Sequence, residues 1–415
     1  MKTILILGTL DTKGNQIQFL KKLIENAGHS VILMDNSTRE VPALKADITC
    51  DEIALAAGVS IGELRRSKER VRITSVMTEG SIKKAQELFV EERFDAIVSL
   101  GGATAATVAT AVMKALPFGI PKLMVCSAAG MPYAGKWFGT GDIQMMNTIV
   151  DLAGDNQLVK NVLTRAAGAV CGMVAVTSGG SLADLLSGRG KPLVAMTEDG
   201  ASERCGTYVR QGLEKRGYEA VSFSVNGFSD RAMEELIGQG FFDGVVDIAL
   251  MGVSDELFEG NRPGGPNRLE MAGRRGIPMV IAPCGLNQTG CGSTRKNAAK
   301  YASRPRVLKL DELRMGTRLN EEELALTART VAEKLNRAKG PVKFFIPLKG
   351  FSGFDPPGGV LYCPEEDKIF IDEVKRLVKP RVEIVEIDAN LEESVFAQAL
   401  LDGFVQLMET NKERI

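Results

Sequence analysis

The sequence predicts an α/β protein of two doubly wound, Rossmann-like domains with mainly parallel sheets. Three observations predict it. Short aliphatic runs alternate with stretches of helical periodicity from the first residues onward. Glycine, at 44 of 415 residues, recurs where those runs hand over to helices and supplies the tight turns such units need. The syntax of the first half then returns, in order, in the second. The length allows two or three domains with large cores.

Thr3 to Leu7 is an aliphatic run that both faces of a parallel sheet can bury. Gly8 to Gly14 turns the chain. Ile17, Leu20, Ile24 and Ala27 recur at helical spacing, and Val31 to Met34 is the next strand. An insertion around 37–77 follows. In it, Ser60-x-x-Glu63 is a capping pattern, and Arg65 to Arg70 reads as a solvated, charged helix face. Ile82 to Glu91 is helical and Ala96 to Leu100 a strand. Gly101-Gly102 opens a helix through Val112, and Leu123 to Cys126 is a strand after Pro121. Right-handed crossovers should join these strands.

Leu193 to Met196 then echoes the first strand, with a helix from about Tyr208 to Gly217. Arg231 to Gly238 echoes 82–91, Phe242 to Val246 echoes Phe94 to Val98, and Gly276-Ile277-Pro278 echoes Gly119-Ile120-Pro121. The expected domains are 1–185 and 186–415. Arg295 to Lys309 is basic and reads as a loop or lid. Asn320-x-x-Glu323 starts an amphipathic helix with Leu324, Ala328, Val331 and Leu335 inward. Val382 to Ile387 and a helix capped by Asn390 close the second domain.

Composition removes several functions. Lys+Arg is 51 and Asp+Glu is 52, a formal net charge of −1, which argues against a dedicated nucleic-acid binder. Aromatic residues at 6% offer little for base stacking. His29 is the single histidine and falls in a turn, so a histidine triad or a zinc site built on histidines is not expected, nor is haem. Seven scattered cysteines, none in C-x-x-C, read as reduced, mostly buried thiols of a cytoplasmic protein. The apolar start is interrupted by Asp11 and Lys13 and lacks a cleavage site. No uncharged run of membrane-spanning length is read in the chain, so no membrane association is expected.

Chemistry in doubly wound folds gathers at the carboxyl ends of the strands. Gly8, Thr9, Asp11, Thr12 and Lys13 lie in the first such loop. Helix-start amides, a lysine and hydroxyls there suit phosphate oxygens, and Asp11 suits a metal ion or a ribose hydroxyl. Gly101, Gly102, Thr104 and Thr107 form a second loop of that kind. Met77 to Ser81, with Glu79, is read as a third. Gly130 to Lys136 has P-loop spacing, but Trp137 replaces the hydroxyl that binds Mg²⁺, and the match reads as coincidence. In the second domain Asp199, Arg204, Asp255 and Glu256 stand at equivalent strand ends. They are candidates for acid–base chemistry without histidine on a small carboxylate or carbonyl acid in an interdomain cleft.

Seven segments carry a family resemblance: I-L-G-T-L-D-T-K-G at 6–14, S-L-G-G at 99–102, A-L-P-F-G-I-P-K at 115–122, D-I-Q-M-M at 142–146, R-A-M-E-E-L-I at 231–237, D-E-L at 255–257 and R-L-E-M-A-G-R-R-G-I-P at 268–278. With them the chain resembles, over nearly its whole length, a family of largely uncharacterised microbial proteins. That family is similar to the ATP-binding N-terminal domain of the tomato tobamovirus-resistance protein. The resemblance implies two Rossmann-like domains, a homodimer, and ATP with Mg²⁺ on the 8–14 and 101–107 loops. The chain departs from the family in three places. A Gly-Gly-Ser loop is Gly101-Gly102-Ala103-Thr104-Ala105-Ala106-Thr107 here, and Cβ atoms are added where phosphate would approach. A histidine-bearing segment is Ser224-Val225-Asn226-Gly227, and another, within Arg306 to Leu310, has no histidine. The expected function is binding of a nucleotide or another phosphorylated metabolite. The alternatives are the carboxylate or carbonyl-acid enzyme and a non-catalytic dimeric module of a larger complex.

Overall fold

In the computed structural model, which describes residues 1–39, 44–176, 190–292, 299–312 and 314–412, the chain divides into two units, Met1–Gly188 and Arg189–Ile415. The boundary expected at 185/186 lies outside the described residues.

The first unit runs β1 (Thr3–Gly8), α1 (Leu10–Asn26), β2 (Ser30–Asp35), α2 (Cys50–Ala56), α3 (Ile61–Arg66), α4 (Arg70–Val90), β3 (Ala96–Gly101), α5 (Ala103–Lys114), β4 (Lys122–Cys126), α6 (Gly135–Phe138), β5 (Gln144–Asn147) and α7 (Gln157–Val176). Its five strands pair in parallel in the order β2-β1-β3-β4-β5. Successive strand side chains point to opposite faces. Ile4 and Ile6 therefore join one core, with Ile17, Leu20 and Ile24 of α1 and Val162 and Val170 of α7. Leu5 and Leu7 join the other, with Ile53 of α2, Met77 and Ala85 of α4, and Ala109 of α5. An uninterrupted aliphatic run is what a strand covered on both faces requires. Helix α7 is long and apolar enough to cross a membrane by length and composition. Its inner face is buried in this core.

Residues 77–81 are not a loop. They lie inside α4, where Glu79 pairs with Lys83 on the exposed side at 2.7 Å. Gly80 suggests a chain break in the sequence, but it serves a close approach. A Cβ there would stand 1.9 Å from the Ile53 carbonyl oxygen of α2. Residues 130–134 form turns and α6 has only four residues, so the P-loop spacing has no strand–loop–helix behind it.

The second unit runs β6 (Leu193–Glu198), α8 (Glu203–Lys215), β7 (Glu219–Ser224), α9 (Ser229–Gly238), β8 (Gly244–Ala249), α10 (Met251–Phe258), α11 (Met271–Arg275), β9 (Met279–Cys284), β10 (Gln288–Gly292), β11 (Val307–Lys309), β12 (Arg314–Arg318), α12 (Glu321–Asn336), β13 (Val342–Pro347), α13 (Pro364–Leu377), β14 (Val382–Ile387) and α14 (Ser394–Lys412). Six strands form a parallel sheet, β14-β13-β9-β8-β6-β7. The first five strands to enter it repeat the order seen in the first unit, so the internal echo of the sequence extends to topology. Both sheets are doubly wound, as predicted.

Three differences stand out. Helix α8 begins five residues before Tyr208. Asn390 accepts from the Glu392 amide in a turn, and α14 starts only at Ser394. Within the basic stretch, 295–298 lie outside the described residues, while 307–309 pair antiparallel with β12 in a small sheet β10-β12-β11. The basic residues beside that sheet face carboxylates of α13: Arg306 lies 3.2 Å from Glu366, and Arg318 lies 2.6 Å from Asp367. The expected cap of α12 is present, with Asn320 and Glu323 bonding reciprocally.

Candidate functional site

In the first sheet the chain leaves β1 toward one neighbour, β2, and later fills the other side with β3. The β1/β3 boundary is thus the topological switch point, where crossovers diverge and a crevice opens beyond the strand ends. A cleft of about 350 Å³ lies there. The loop after β1 lines it with Thr9, Asp11, Thr12 and Lys13. The loop after β3 lines it with Gly101, Gly102 and Thr104. Seven of the nine cofactor-site candidates therefore share one cavity. Gly8 is the last residue of β1 and is not in the lining. Thr107 turns away: its Oγ1 accepts from Trp137 Nε1 at 3.1 Å.

The two helix starts differ. At α1 the chain caps itself. The Leu10 amide donates to Asp35 Oδ1 (3.1 Å), the Asp11 amide to Ser37 Oγ (2.9 Å), and the Thr12 and Lys13 amides to the Thr9 carbonyl. The amides that the sequence offered to phosphate are already bonded, which leaves side chains as the contribution of this loop. Lys13 Nζ donates to the Leu152 carbonyl at 2.7 Å and lies 3.5 Å from Asp151. Asp11 Oδ2 accepts from the Arg39 amide at 3.1 Å.

At α5 the N-cap is Gly102, which has no side chain to accept from the first-turn amides. Among the described residues no acceptor takes the amides of Ala103, Thr104 and Ala105, and all three residues line the cleft. Open first-turn amides at the positive end of a helix dipole favour an anion. Gly101 makes the close turn into α5 at φ +152°, where a Cβ would lie 2.5 Å from that of Ala105. Ala103 and Ala105 themselves line the cleft beside this turn.

Sequence reading missed most of the third wall. Asn36, Thr38 and Arg39 follow β2, and Ile73 and Thr74 come from α4 together with Met77, which was expected in a loop. Asp35, at the end of β2, is the one residue there with a recognisable signal, since an acidic residue at that position often meets a ribose. Here it is 1% exposed and bonds to Leu10 and Ser37 instead.

In the second unit the candidate carboxylates are already bonded. Asp199 closes a turn onto the Ala201 amide (3.0 Å) and lies 3.6 Å from Arg262. Arg204 is exposed on the first turn of α8, and its amide donates to Glu392. Asp255 is fully buried and accepts from Thr289 Oγ1 (2.7 Å), the Gly290 amide (2.8 Å) and the Arg262 amide (2.9 Å). Burial pushes its carboxyl up despite these donors. Glu256 is exposed and accepts from the Gly265 amide. A cleft of about 390 Å³ on this unit is lined by other residues, among them Arg231, Glu234 and Gln239.

Two buried networks near the strands carry the strongest electrostatics. Arg268 is wholly buried among Asp247, Glu234 and Asp230, and burial raises the carboxyls of Asp230 and Glu234. Asn287 Nδ2 donates to both Asp355 (2.7 Å) and Asp367 (2.8 Å), and Arg318 donates to Asp367. Asp367 Oδ2 is buried without a partner. Burial first, and then the neighbouring Asp355, push the Asp367 carboxyl up to about 6 against the pull of Arg318. All seven cysteines are free and six are buried, as expected.

Residues 2–179 match the uncharacterised protein family (UPF0261) N-terminal domain, and residues 191–408 match its C-terminal domain. A UPF0261 protein of Clostridium tetani is 37% identical over 412 residues, which is 98% of this chain and 99% of that one. The ToMV resistance protein Tm-1 of Solanum lycopersicum is 27% identical over 425 residues, 97% of this chain but 55% of the tomato protein. Among solved structures, UDP-GlcNAc 2-epimerase from Neisseria meningitidis aligns 82% of its chain with 68% of this one, at 10% identity and a TM-score of 0.24.

Proposed function

This chain belongs to the uncharacterised family UPF0261, and from that premise we propose that its first unit binds a nucleotide or another phosphorylated metabolite in the cleft between the 8–14 and 101–107 loops. One observation carries the reading: the uncapped first turn of α5 opens into the same cavity as Lys13 and Arg39. The phosphate would sit on the α5 amides, with the lysine and arginine supplying positive charge. Among the described residues Asp11 is the one carboxylate in the lining. Mg²⁺ carried by a polyphosphate usually takes one or two protein carboxylates, so Asp11 would be its ligand here. The rival reading, an enzyme on a small carboxylate or carbonyl acid, lacks comparable support, because Asp199 and Asp255 already hold donors of their own chain. A reducing cytoplasm and a homodimer complete the proposal. Free thiols support the first. Sedimentation of the purified protein tests the second, and a monomer at micromolar concentration would remove it.

The test is a thermal-shift titration with ATP, ADP and AMP, with and without Mg²⁺. A ligand at 100 times its Kd adds about 2.7 kcal/mol to the unit that binds it. For a unit of this size that is roughly 5–10 °C. The double variant Asp11→Ala, Lys13→Ala should lose most of the shift. No shift at millimolar ligand, or an equal shift in the folded variant, overturns the reading.

A further inference from the structure

One wall of the cleft has no counterpart in the second unit. Helix α4 is 21 residues long, whereas α9, which holds the same place between the second and third strands of its sheet, is 10. Each stops the same short distance before the strand that follows it, so the extra length of α4 lies at its start, in residues 70–80. Ile73, Thr74 and Met77 stand on that extension, about one turn apart on one face, and line the cleft. The close approach of Gly80 to Ile53 braces the extension against α2. Met77 belongs to the core beneath. Ile73 does not: it is half-buried and packs into neither core of the first unit. An isoleucine at a surface needs no explanation by itself. This one is carried on an added stretch of helix into a cavity that also holds Lys13, Arg39 and the open α5 amides. Apolar surface beside a few placed polar groups is the lining of a small-molecule site.

Resting on the phosphate reading above, we propose that the extension of α4 seats the organic half of the ligand: the anionic group sits on the first turn of α5 while an apolar ring of the attached group packs on Ile73. The ligand class is then a phosphoester that carries a flat ring, either a nucleotide held by its base or a smaller phosphorylated aromatic. Free sugar phosphates and phosphorylated acids expose mainly hydroxyl and carboxylate oxygens and offer Ile73 little to cover. Ring and side chain leave water together, which adds affinity that does not depend on charge. A cavity of about 350 Å³ has room for both halves. Ile73 is a specificity residue here and has no part in any bond rearrangement.

Isothermal titration calorimetry on the full chain tests this with phenyl phosphate and methyl phosphate. The wild-type protein should bind phenyl phosphate about tenfold more tightly, the return on burying roughly 55 Å² of apolar surface. Ile73→Ser removes the apolar platform and should erase most of that preference, while methyl phosphate affinity stays within about twofold. Ile73→Leu should keep the preference. Ile73→Gln, a better helix former, replaces the serine variant if that one folds poorly. A second pair, AMP and ribose 5-phosphate, identifies the ring. AMP favoured in an Ile73-dependent way supports the inference with a nucleobase as the ring, and AMP not favoured while phenyl phosphate is supports it with a smaller ring. Equal wild-type affinity for phenyl and methyl phosphate, or a preference that survives both polar variants, overturns the inference and leaves phosphate binding standing. Failure of all these probes and of the other nucleotides to bind the wild-type protein overturns the phosphate reading and this inference with it.

Discussion

Replacing Asp367 by asparagine should change how stability depends on pH, in a direction fixed by its surroundings. Its carboxyl rises from an ordinary 3.8 to about 6 in the folded protein, chiefly through burial. A group raised on folding holds its proton more tightly when native. Its contribution is therefore complete below about pH 3.8 and is lost as pH rises through 6. At 1.36 kcal/mol per pH unit, the loss over that interval is about 3 kcal/mol. Asparagine cannot ionise, so the variant keeps what the wild type gives up. It also leaves an amide where the unpartnered Oδ2 stood, a cost that does not vary with pH and cancels from the slopes. Asp230, Glu234 and Asp255 titrate in both proteins and cancel as well. Differential scanning calorimetry of both proteins at pH 4, 5, 6 and 7 is the assay. The melting temperature of the second unit in the variant, relative to wild type, should climb by roughly 6–12 °C from pH 4 to pH 7 for a unit of this size. Parallel profiles across that range would refute the assignment of Asp367 as a carboxyl that ionises only at a cost.

Three further outcomes follow from packing and buried charge. Arg268→Met strands the carboxylates of Asp247, Glu234 and Asp230 without their common cation, and should cost about 3–5 kcal/mol in urea denaturation; a loss below about 1 kcal/mol would contradict the network. Gly80→Ala drives a methyl group into the Ile53 carbonyl and should cost about 1–3 kcal/mol in the first unit, whereas an unchanged midpoint would mean that α2 and α4 separate freely. Asp35→Ala uncaps α1 and leaves the Leu10 and Ser37 amides unpaired, so a loss of about 2–4 kcal/mol is expected in the first transition, and circular dichroism melting checks it.

How much of this was legible in the sequence depended on the range of the interaction concerned. Strands such as Thr3–Gly8 and Val382–Ile387 were readable because burial on both faces, or alternation, writes itself into neighbouring residues. The cap at Asn320 was readable because both partners lie within one turn. The interior of α4 was misread because Gly80 answers to Ile53, twenty-seven residues away, and a close approach looks like a chain break until its partner is known. Strand Val307–Lys309 was hidden by the arginines around it, whose carboxylate partners come from α13. At the candidate site the two glycine-bearing loops were visible. The self-capping of α1 was not, because Asp35 and Ser37 reach it from the next strand.

The contact between Trp137 and Thr107 has a practical consequence. The protein carries one indole, 6% exposed, hydrogen-bonded one turn beyond the α5 amides that frame the cleft. Its emission is therefore an intrinsic fluorescent reporter of that helix, needing no label. A ligand that draws the first turn of α5 toward itself changes the polarity and the hydrogen bond felt by the ring. Binding in the cleft and unfolding of the first unit can then be followed by one optical signal, while calorimetry follows the rest of the chain.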